Sequence, residues 1–282
     1  MTVKDLLLLC WMAYIDLPPL YAAMLDSGGS VPVRALADYA LRMDAAGKLK
    51  CISLNNAARD AAREMLTSRA VITGYINMND SDGFVAYTVE ADGINCVAMR
   101  GSESSGECVH SNVDWVDNIC EPFTGSVQLD AIHSLIARFA SGRTIFTGHS
   151  KGGHNALLAL SVSENPLAEA CAFNGQGFGR DSLSAEQHRR LNERGVNYVV
   201  ADDVVGALLL HPEKRVFVRQ ASGTNAHMPE AFVFDQNGSP VTARRTLRSR
   251  AIELASRAAD DRLDGSARFG VRAVCRAALE NM

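Results

Sequence analysis

The chain has 282 residues, of which 47% are hydrophobic and 21% are charged. This balance is typical of a globular protein with a sizeable core and excludes disorder over most of the length. The formal net charge of -4, with no basic stripe along the sequence, argues against a nucleic-acid ligand.

The seven cysteines are scattered, odd in number and not spaced like metal ligands, so we expect a reducing compartment and no metal site. The apolar run at residues 6–15 has neither a charged leader nor a small-residue cleavage site. It is therefore predicted to be a buried helix rather than a signal. No other segment is predicted to cross a membrane, which makes the cytoplasm the expected location. Export without a cleavable signal and the oligomeric state stay open.

The first half of the chain begins with apolar positions at helical spacing. They predict an N-terminal helical region at residues 1–69, with helices over residues 3–14, 33–46 and 54–67. Strand patterns separated by turn signals follow over residues 70–76, 84–90 and 94–99. Residues 103–125 are polar and lack clear periodicity, and we interpret them as a flap over a site.

Helices and strands alternate after the flap. Helices are predicted over residues 129–140, 151–161 and 185–194, and strands over residues 143–147, 170–173, 197–200, 215–219 and 231–234. This alternation predicts an α/β fold with a mainly parallel central sheet and helices on both faces. Residues 241–282 predict a C-terminal helical tail. Because no repeat or linker interrupts the pattern, we expect one domain over residues 1–282.

The strongest chemical signal is Gly-His-Ser-Lys-Gly at residues 148–152, between a predicted strand and a predicted helix. The glycines allow the strand and helix to approach closely, and the strained turn presents Ser150 as a nucleophile. The backbone N–H of Lys151, at the helix start, would face a developing oxyanion. We expect the Lys151 side chain to lie in solvent, with attraction of an anionic substrate group as the alternative. His149 is expected to be structural, packed beneath the nucleophile.

A serine nucleophile needs a histidine base and an acid that orients the histidine. After a strand-turn-helix nucleophile of this kind, the acid comes next along the chain and the histidine last. His154 and His188 lie within predicted helices and cannot easily reach back to Ser150. His211 closes the apolar run 204–210 and is interpreted as the last residue of a helix. His227 lies in the polar loop 221–229 and is the predicted base.

Two aspartates follow the predicted strand 197–200, where a carboxylate would emerge at the carboxyl edge of the sheet. Either Asp202 or Asp203 is expected to orient His227, and the other to cap the turn that follows. After the strand 94–99, Gly101 permits a sharp turn. The backbone N–H of Ser102, helped by its hydroxyl, is the predicted second donor to the oxyanion.

These segments together resemble the class 3, fungal-type triacylglycerol lipase superfamily, and more closely its bacterial branch. The resemblance covers about residues 3–235. It rests on segments 97–102, 114–118, 147–153, 173–178 and 199–209 and on His227. It implies an α/β-hydrolase fold and a triad of Ser150, Asp203 and His227, with Asp202 as the fallback acid. It also implies that Ser102 and Lys151 form the oxyanion hole and that residues 103–125 form the lid.

The expected function is that of a serine hydrolase that cleaves a carboxylic ester through an acyl-enzyme, without a cofactor. The flap region is longer and more polar than a fungal lipase lid, so short acyl or single lipid-like small molecules are the expected substrates. Thioesterase, amidase or acyltransferase action through the same triad is the alternative. A non-catalytic, lipid-binding member of the fold is the second alternative.

Overall fold

The computed structural model describes residues 1–49, 55–102, 117–118, 120–121, 125–263, 270–271 and 274. Eight strands form one sheet whose spatial order follows chain order. They are β1 (Val31–Pro32), β2 (Val71–Met78), β3 (Phe84–Ala91), β4 (Ile94–Met99), β5 (Thr144–His149), β6 (Ala168–Phe173), β7 (Gly195–Val200) and β8 (Lys214–Val218). Strands β1 to β4 pair antiparallel, and β4 to β8 pair in parallel. The predicted α/β fold with a mainly parallel sheet is confirmed.

Eight helices whose bounds lie entirely within the described residues accompany the sheet. They are α1 (Val3–Met12), α2 (Pro19–Asp26), α3 (Val33–Ala45), α4 (Asn56–Met65), α5 (Leu129–Phe139), α6 (Lys151–Val162), α7 (Ala185–Arg194) and α8 (Leu247–Arg262). Helix α1 begins with a capping box in which Thr2 and Asp5 satisfy each other's backbone N–H. Its leucine-rich face is buried, so the prediction of a buried helix at residues 6–15 is confirmed.

The core lies in two layers, one on each face of the sheet. In strand β4, Cys96 and Ala98 pack with helices α1, α3 and α4, whereas Val97 and Met99 pack with α5 and α6. This alternation is the period of two that a strand imposes on its side chains. The predicted placement of helices on both faces is therefore confirmed. No helix among the described residues is both long enough and apolar enough to cross a membrane.

Two local predictions are wrong, and one helix was not predicted. Residues 231–234 do not form a strand; the 3-10 turn Pro229–Ala231 is followed only by isolated bridges of Phe232 and Phe234. The apolar run 204–210 forms the 3-10 turn Val205–Ala207 rather than a helix, because the chain then turns and Leu210 bridges Phe178. Helix α2 was not predicted, although a proline at its first position is a known helix-start signal.

The C-terminal tail is described only in part. Helix α8 starts at Thr246, whose hydroxyl accepts a hydrogen bond from the backbone N–H of Ser249, and it confirms a helix within residues 241–282. Most of residues 264–282 lie outside the described residues. Of the flap predicted at residues 103–125, only residues 117–118, 120–121 and 125 are described.

Strands β4 to β7 run in the same direction, so their carboxyl ends meet at one edge of the sheet. The residues that follow these ends include Ser102, Ser150, Asn174 and Asp203. An edge of this kind is where α/β sheets place ligands and chemistry. The topology therefore brings the sequence-predicted site residues to one place.

Candidate active site

Ser150 lies between strand β5 and helix α6 with backbone angles of φ 58° and ψ -123°. A serine with positive φ is strained, and the surrounding structure must hold it in place. The backbone N–H of Ser150 donates to the carbonyl oxygen of Phe173 at 3.0 Å, which anchors the turn to strand β6. The predicted turn geometry at residue 150 is therefore present.

The glycines around Ser150 are required by close backbone approach. A Cβ atom on Gly148 would lie 2.1 Å from the carbonyl oxygen of Gly152, and one on Gly152 would lie 2.2 Å from that of Met99. A Cβ on Gly101 would lie 2.5 Å from the carbonyl oxygen of His149. No larger residue fits between these backbones, so the turn and the loop after β4 pack directly against each other.

Ser150, His227 and Asp203 form one hydrogen-bonded row. The Nε2 atom of His227 lies 2.9 Å from Ser150 Oγ, and its Nδ1 atom lies 2.9 Å from Asp203 Oδ1. Because a carboxylate only accepts, Nδ1 carries a proton, and Nε2 of the neutral imidazole is then free to accept the serine proton. The Asp203 side chain is fully buried, whereas the imidazole is 26% exposed. The structure thus brings the three sequence-predicted residues within hydrogen-bond distance.

The two neighbouring aspartates have different partners. Asp203 uses its second oxygen, Oδ2, to accept from the backbone N–H of Gly206 at 2.5 Å. Asp202 instead accepts from the Thr246 hydroxyl at 2.7 Å and pairs with Arg248 at 3.0 Å. We expected the orienting and capping roles to be divided between the two residues, but Asp203 makes both contacts.

The backbone of His227 is held from below by two side chains. His149 Nε2 donates to the carbonyl oxygen of His227 at 2.6 Å. Asn174 Nδ2 donates to the same oxygen and to that of Ala226, both at 3.0 Å, while its Oδ1 accepts from the N–H of Val200 at 2.9 Å. Burial, with a contribution from neighbouring His227, lowers the pKa of His149 to about 3, so this ring stays neutral.

The structural role predicted for His149 matches these contacts, whereas no role was predicted for Asn174. Asn174 has a φ of 49° directly after strand β6. Asparagine tolerates this left-handed conformation better than most residues, and the Asn-Gly pair that follows the strand is a turn signal that could have drawn attention to it.

Two of the three other histidines considered as bases, His154 and His211, have buried partners away from Ser150. His154 is fully buried, with Nδ1 donating to the carbonyl oxygen of Gln176. His211 is buried against Glu213 at 2.7 Å and lies beyond a short turn rather than at the end of a helix. His188 lies in helix α7, as predicted.

Ser102 lies at the end of the loop that packs against the serine turn. Its hydroxyl oxygen accepts from Asn118 Nδ2 at 2.9 Å. Since that oxygen is already an acceptor there, its own proton can be donated elsewhere. The preceding Arg100 is buried and pairs with Asp16 at 3.5 Å and with Asn79. The oxyanion roles predicted for Ser102 and for the N–H of Lys151 stay predictions.

The side chain of Lys151 is buried, and the expectation of a solvated lysine is wrong. Only 1% of it is exposed, and its Nζ atom lies 2.5 Å from Asp117 Oδ2 and 3.7 Å from Glu121. The reason is that a segment 34 positions earlier in sequence folds against helix α6 and supplies both carboxylates. The alternative of attracting an anionic substrate group is also wrong, because the ammonium is already paired inside the protein.

A cleft of about 420 Å³ opens beside His227, with Gln220, Thr224 and Arg248 among its walls. Its lining is mainly polar apart from Val204, Val205 and Ala226. Among the described residues, no group of three or more His, Cys, Asp or Glu side chains is arranged to hold a metal ion.

Comparison with known proteins identifies relatives at the level of family and fold. The model of the Mbeg1-like family matches residues 72–264, which is more than half of the chain. A structure described as belonging to a family of fungal lipases with a buried polar cluster superposes with a TM-score of 0.50 at 16% identity. It covers 79% of this chain and 81% of its own. The mono- and diacylglycerol lipase from Aspergillus oryzae gives a TM-score of 0.48 at 12% identity, covering 90% of each chain. No curated protein matches the chain.

Proposed function

Because the chain belongs to the Mbeg1-like family and places a serine, an imidazole and a carboxylate in one row, we propose that it is a serine hydrolase of carboxylic esters. The observation that carries this proposal is the position of His227, which is within 2.9 Å of both Ser150 and Asp203. This arrangement is the one that converts a weakly nucleophilic hydroxyl into an acylating group.

In the proposed reaction, His227 Nε2 accepts the hydroxyl proton as Ser150 Oγ attacks the ester carbonyl carbon. Asp203 keeps Nδ1 protonated and stabilises the imidazolium that forms. His227 then returns the proton to the leaving alkoxide, which departs as an alcohol and leaves an acyl-enzyme. A water molecule activated by the same imidazole releases the carboxylic acid and restores Ser150.

The negative charge of the tetrahedral intermediate needs donors at fixed positions. In our proposal these are the backbone N–H of Lys151, at the first position of helix α6, and the N–H and hydroxyl of Ser102. The N-terminus of a helix favours negative charge, and the close packing of Gly101 on the serine turn supports a short distance between the two donors. The reaction as proposed requires no metal or organic cofactor.

The proposed substrate is a small-molecule ester with a short acyl or lipid-like chain. The fold shared with fungal lipases is compatible with such a substrate. The triad alone does not distinguish ester from thioester or amide cleavage, because none of these leaving groups needs more than the one proton that His227 carries. Ester cleavage is proposed because the fold is shared with fungal lipases.

The test compares Ser150→Ala with Ser161→Ala, a serine in the same helix α6 whose hydroxyl only donates to the carbonyl oxygen of Leu158. Turnover of p-nitrophenyl butyrate should vanish in the first variant and persist in the second, with both folded by circular dichroism. Turnover that survives in Ser150→Ala rejects the proposal. A panel of butyryl ester, thioester and anilide substrates then identifies the leaving group, and a preference for the thioester or anilide rejects ester cleavage.

A further inference from the structure

Four charged or titratable side chains meet beneath the start of helix α6, and we call them the buried charge cluster: Asp117, Glu121, Lys151 and His154. Lys151 Nζ lies 2.5 Å from Asp117 and 3.7 Å from Glu121, and His154 Nε2 pairs with Glu121. All four side chains are at most 5% exposed. Two of them come from the nucleophile helix and two from the segment 117–121.

The cluster contains two basic and two acidic side chains. The Nδ1 atom of His154 donates to the carbonyl oxygen of Gln176, and Nε2 lies against the Glu121 carboxylate. Burial alone would raise the pKa of the Glu121 carboxyl, but the neighbouring His154 and Lys151 cations lower it below its ordinary value. Two basic side chains therefore face two carboxylates, and such pairing is the condition under which buried ionisable groups are tolerated.

The carboxylates also hold the chain around them. Asp117 accepts from the Ser126 hydroxyl at 2.9 Å and from the N–H of Val127 at 3.0 Å. Glu121 accepts from Gln176 Nε2 at 3.1 Å, and the same amide contacts the carbonyl oxygen of Asn118 at 3.4 Å. The segment 117–121 is thus fixed on helix α6 by one carboxylate near each of its ends.

Asn118 lies between these two carboxylates, and its amide donates to Ser102 Oγ at 2.9 Å. A hydroxyl that accepts at its oxygen can direct its proton only away from that donor. The position of Asn118 therefore influences where the Ser102 proton points. Lys151 holds the residue directly before Asn118, whereas its own backbone N–H begins the nucleophile helix.

We propose that Lys151 is a positioning residue. Through Asp117 and Asn118, its side chain fixes the position of the Ser102 hydroxyl relative to the backbone N–H of Lys151 itself. One residue then links both halves of the oxyanion hole. This inference rests on the proposed function. An apolar side chain would fill the same space without the cost of burying a charge, but it would not fix Asp117. Within the described residues, the Asp117 carboxylate contacts the Lys151 ammonium, the Ser126 hydroxyl and the Val127 N–H.

The variant that tests the link replaces both ion-pair partners, Lys151→Met with Asp117→Asn, so that no unpaired charge is left buried. With p-nitrophenyl butyrate as the substrate, we expect kcat to fall roughly tenfold or more, because a misplaced donor gives the transition state less stabilisation. KM should stay unchanged, since ground-state binding does not use that donor. Lys4→Met, which removes an exposed pair with Glu64, is the matched control and should leave both constants unchanged.

A double-mutant cycle with Ser102→Ala separates positioning from general damage. If Lys151 acts through the Ser102 hydroxyl, adding Lys151→Met and Asp117→Asn to Ser102→Ala should change kcat by less than about twofold. If the effects of the ion-pair substitutions and of Ser102→Ala on kcat multiply when they are combined, the proposal is overturned, because the ion pair then acts without Ser102.

Amide hydrogen exchange gives a readout that does not depend on turnover. In the variant with Lys151→Met and Asp117→Asn, the backbone amides of Ser102 and Asn118 should exchange faster than in the wild type, and those of strand β8 should exchange at the same rate. Lys4→Met should exchange like the wild type at all of these amides. Unchanged exchange at Ser102 overturns the inference even if the enzyme is active. Conversely, a wild type without Ser150-dependent turnover rejects the proposed function, while the exchange result still decides whether Lys151 positions Ser102.

Discussion

His149 holds His227 from beneath: its Nε2 atom donates to the backbone carbonyl oxygen of His227 at 2.6 Å, and the two ring centroids lie 5.1 Å apart. The residue directly before the nucleophile therefore fixes the backbone of the predicted base, 78 positions later in sequence. This contact requires a neutral, buried His149 ring, and the requirement has a measurable consequence for stability.

Stability should fall between about pH 6.5 and pH 3 because of His149. Burial and the nearby His227 lower its pKa from 6.5 to about 3 in the folded chain. Over this range the unfolded chain binds a proton at residue 149 that the folded chain does not bind, so acidification favours unfolding. Between pH 7 and pH 5 the loss should be on the order of 2 kcal/mol.

Urea unfolding of His149→Gln at these two pH values tests this prediction, since glutamine retains an N–H donor but cannot titrate. The variant should lose less stability on acidification than the wild type. His188→Gln in helix α7 is the matched control and should behave like the wild type. Equal pH dependence in His149→Gln and wild type would contradict the assignment of a neutral ring.

Asp203 and Asp202 are adjacent but should differ greatly in their effect on activity. Asp203→Asn leaves an amide beside Nδ1 of His227 and favours the wrong tautomer, so kcat should fall by roughly four orders of magnitude. Asp202→Asn removes only contacts to Thr246 and the exposed Arg248, and it should cost at most about 1 kcal/mol of stability. The measurement is kcat of the two variants by steady-state kinetics. A larger loss of kcat in Asp202→Asn than in Asp203→Asn would identify Asp202 as the acid.

Asn174→Gly should lower kcat roughly tenfold because the donors to the carbonyl oxygens of Ala226 and His227 are lost and the imidazole is held less tightly. Glycine is the informative substitution, since it accepts the φ of 49° and isolates the loss of the amide. Asp92→Gly, at a φ of 52° in the turn between β3 and β4, is the matched control. Identical kinetics for Asn174→Gly and wild type would show that the amide does not support His227.

Gly152→Ala should abolish turnover and lower the free energy of unfolding by about 3 kcal/mol, because the added Cβ would lie 2.2 Å from the carbonyl oxygen of Met99. Backbone cannot move aside here without displacing Ser150. Gly270→Ala is the control, since the described part of the chain leaves the space at that position open. Denaturant unfolding and ester turnover measure both effects, and a stable, active Gly152→Ala would show that the close approach is not required.

Features encoded in short stretches of sequence were predictable. The strand, glycine-flanked serine and helix at residues 144–162 form a local pattern, so the turn at Ser150 follows from sequence alone. The alternation of strands and helices likewise predicts the parallel half of the sheet. His227 was predicted to be the base because the other downstream histidines fell on predicted helices or at the end of an apolar run.

Features that depend on contacts between distant residues were not predictable. The choice between Asp202 and Asp203 depends on which carboxylate faces His227 once the turn is formed, and only the family resemblance favoured Asp203. The burial of Lys151 depends on carboxylates supplied from residues 117–121, and hydropathy at the start of a helix indicates the opposite. The short turn at Val205–Ala207 forms because the chain bridges Phe178, which apolar periodicity does not reveal.

The most direct test of the account is to locate the adduct that a fluorophosphonate forms on the chain. Intact mass should show one phosphonyl group, tandem mass spectrometry should place it on Ser150, and His227→Ala should slow the labelling at least about a hundredfold. An adduct on a different serine, or an undiminished labelling rate in His227→Ala, would contradict the central claim that this imidazole activates Ser150.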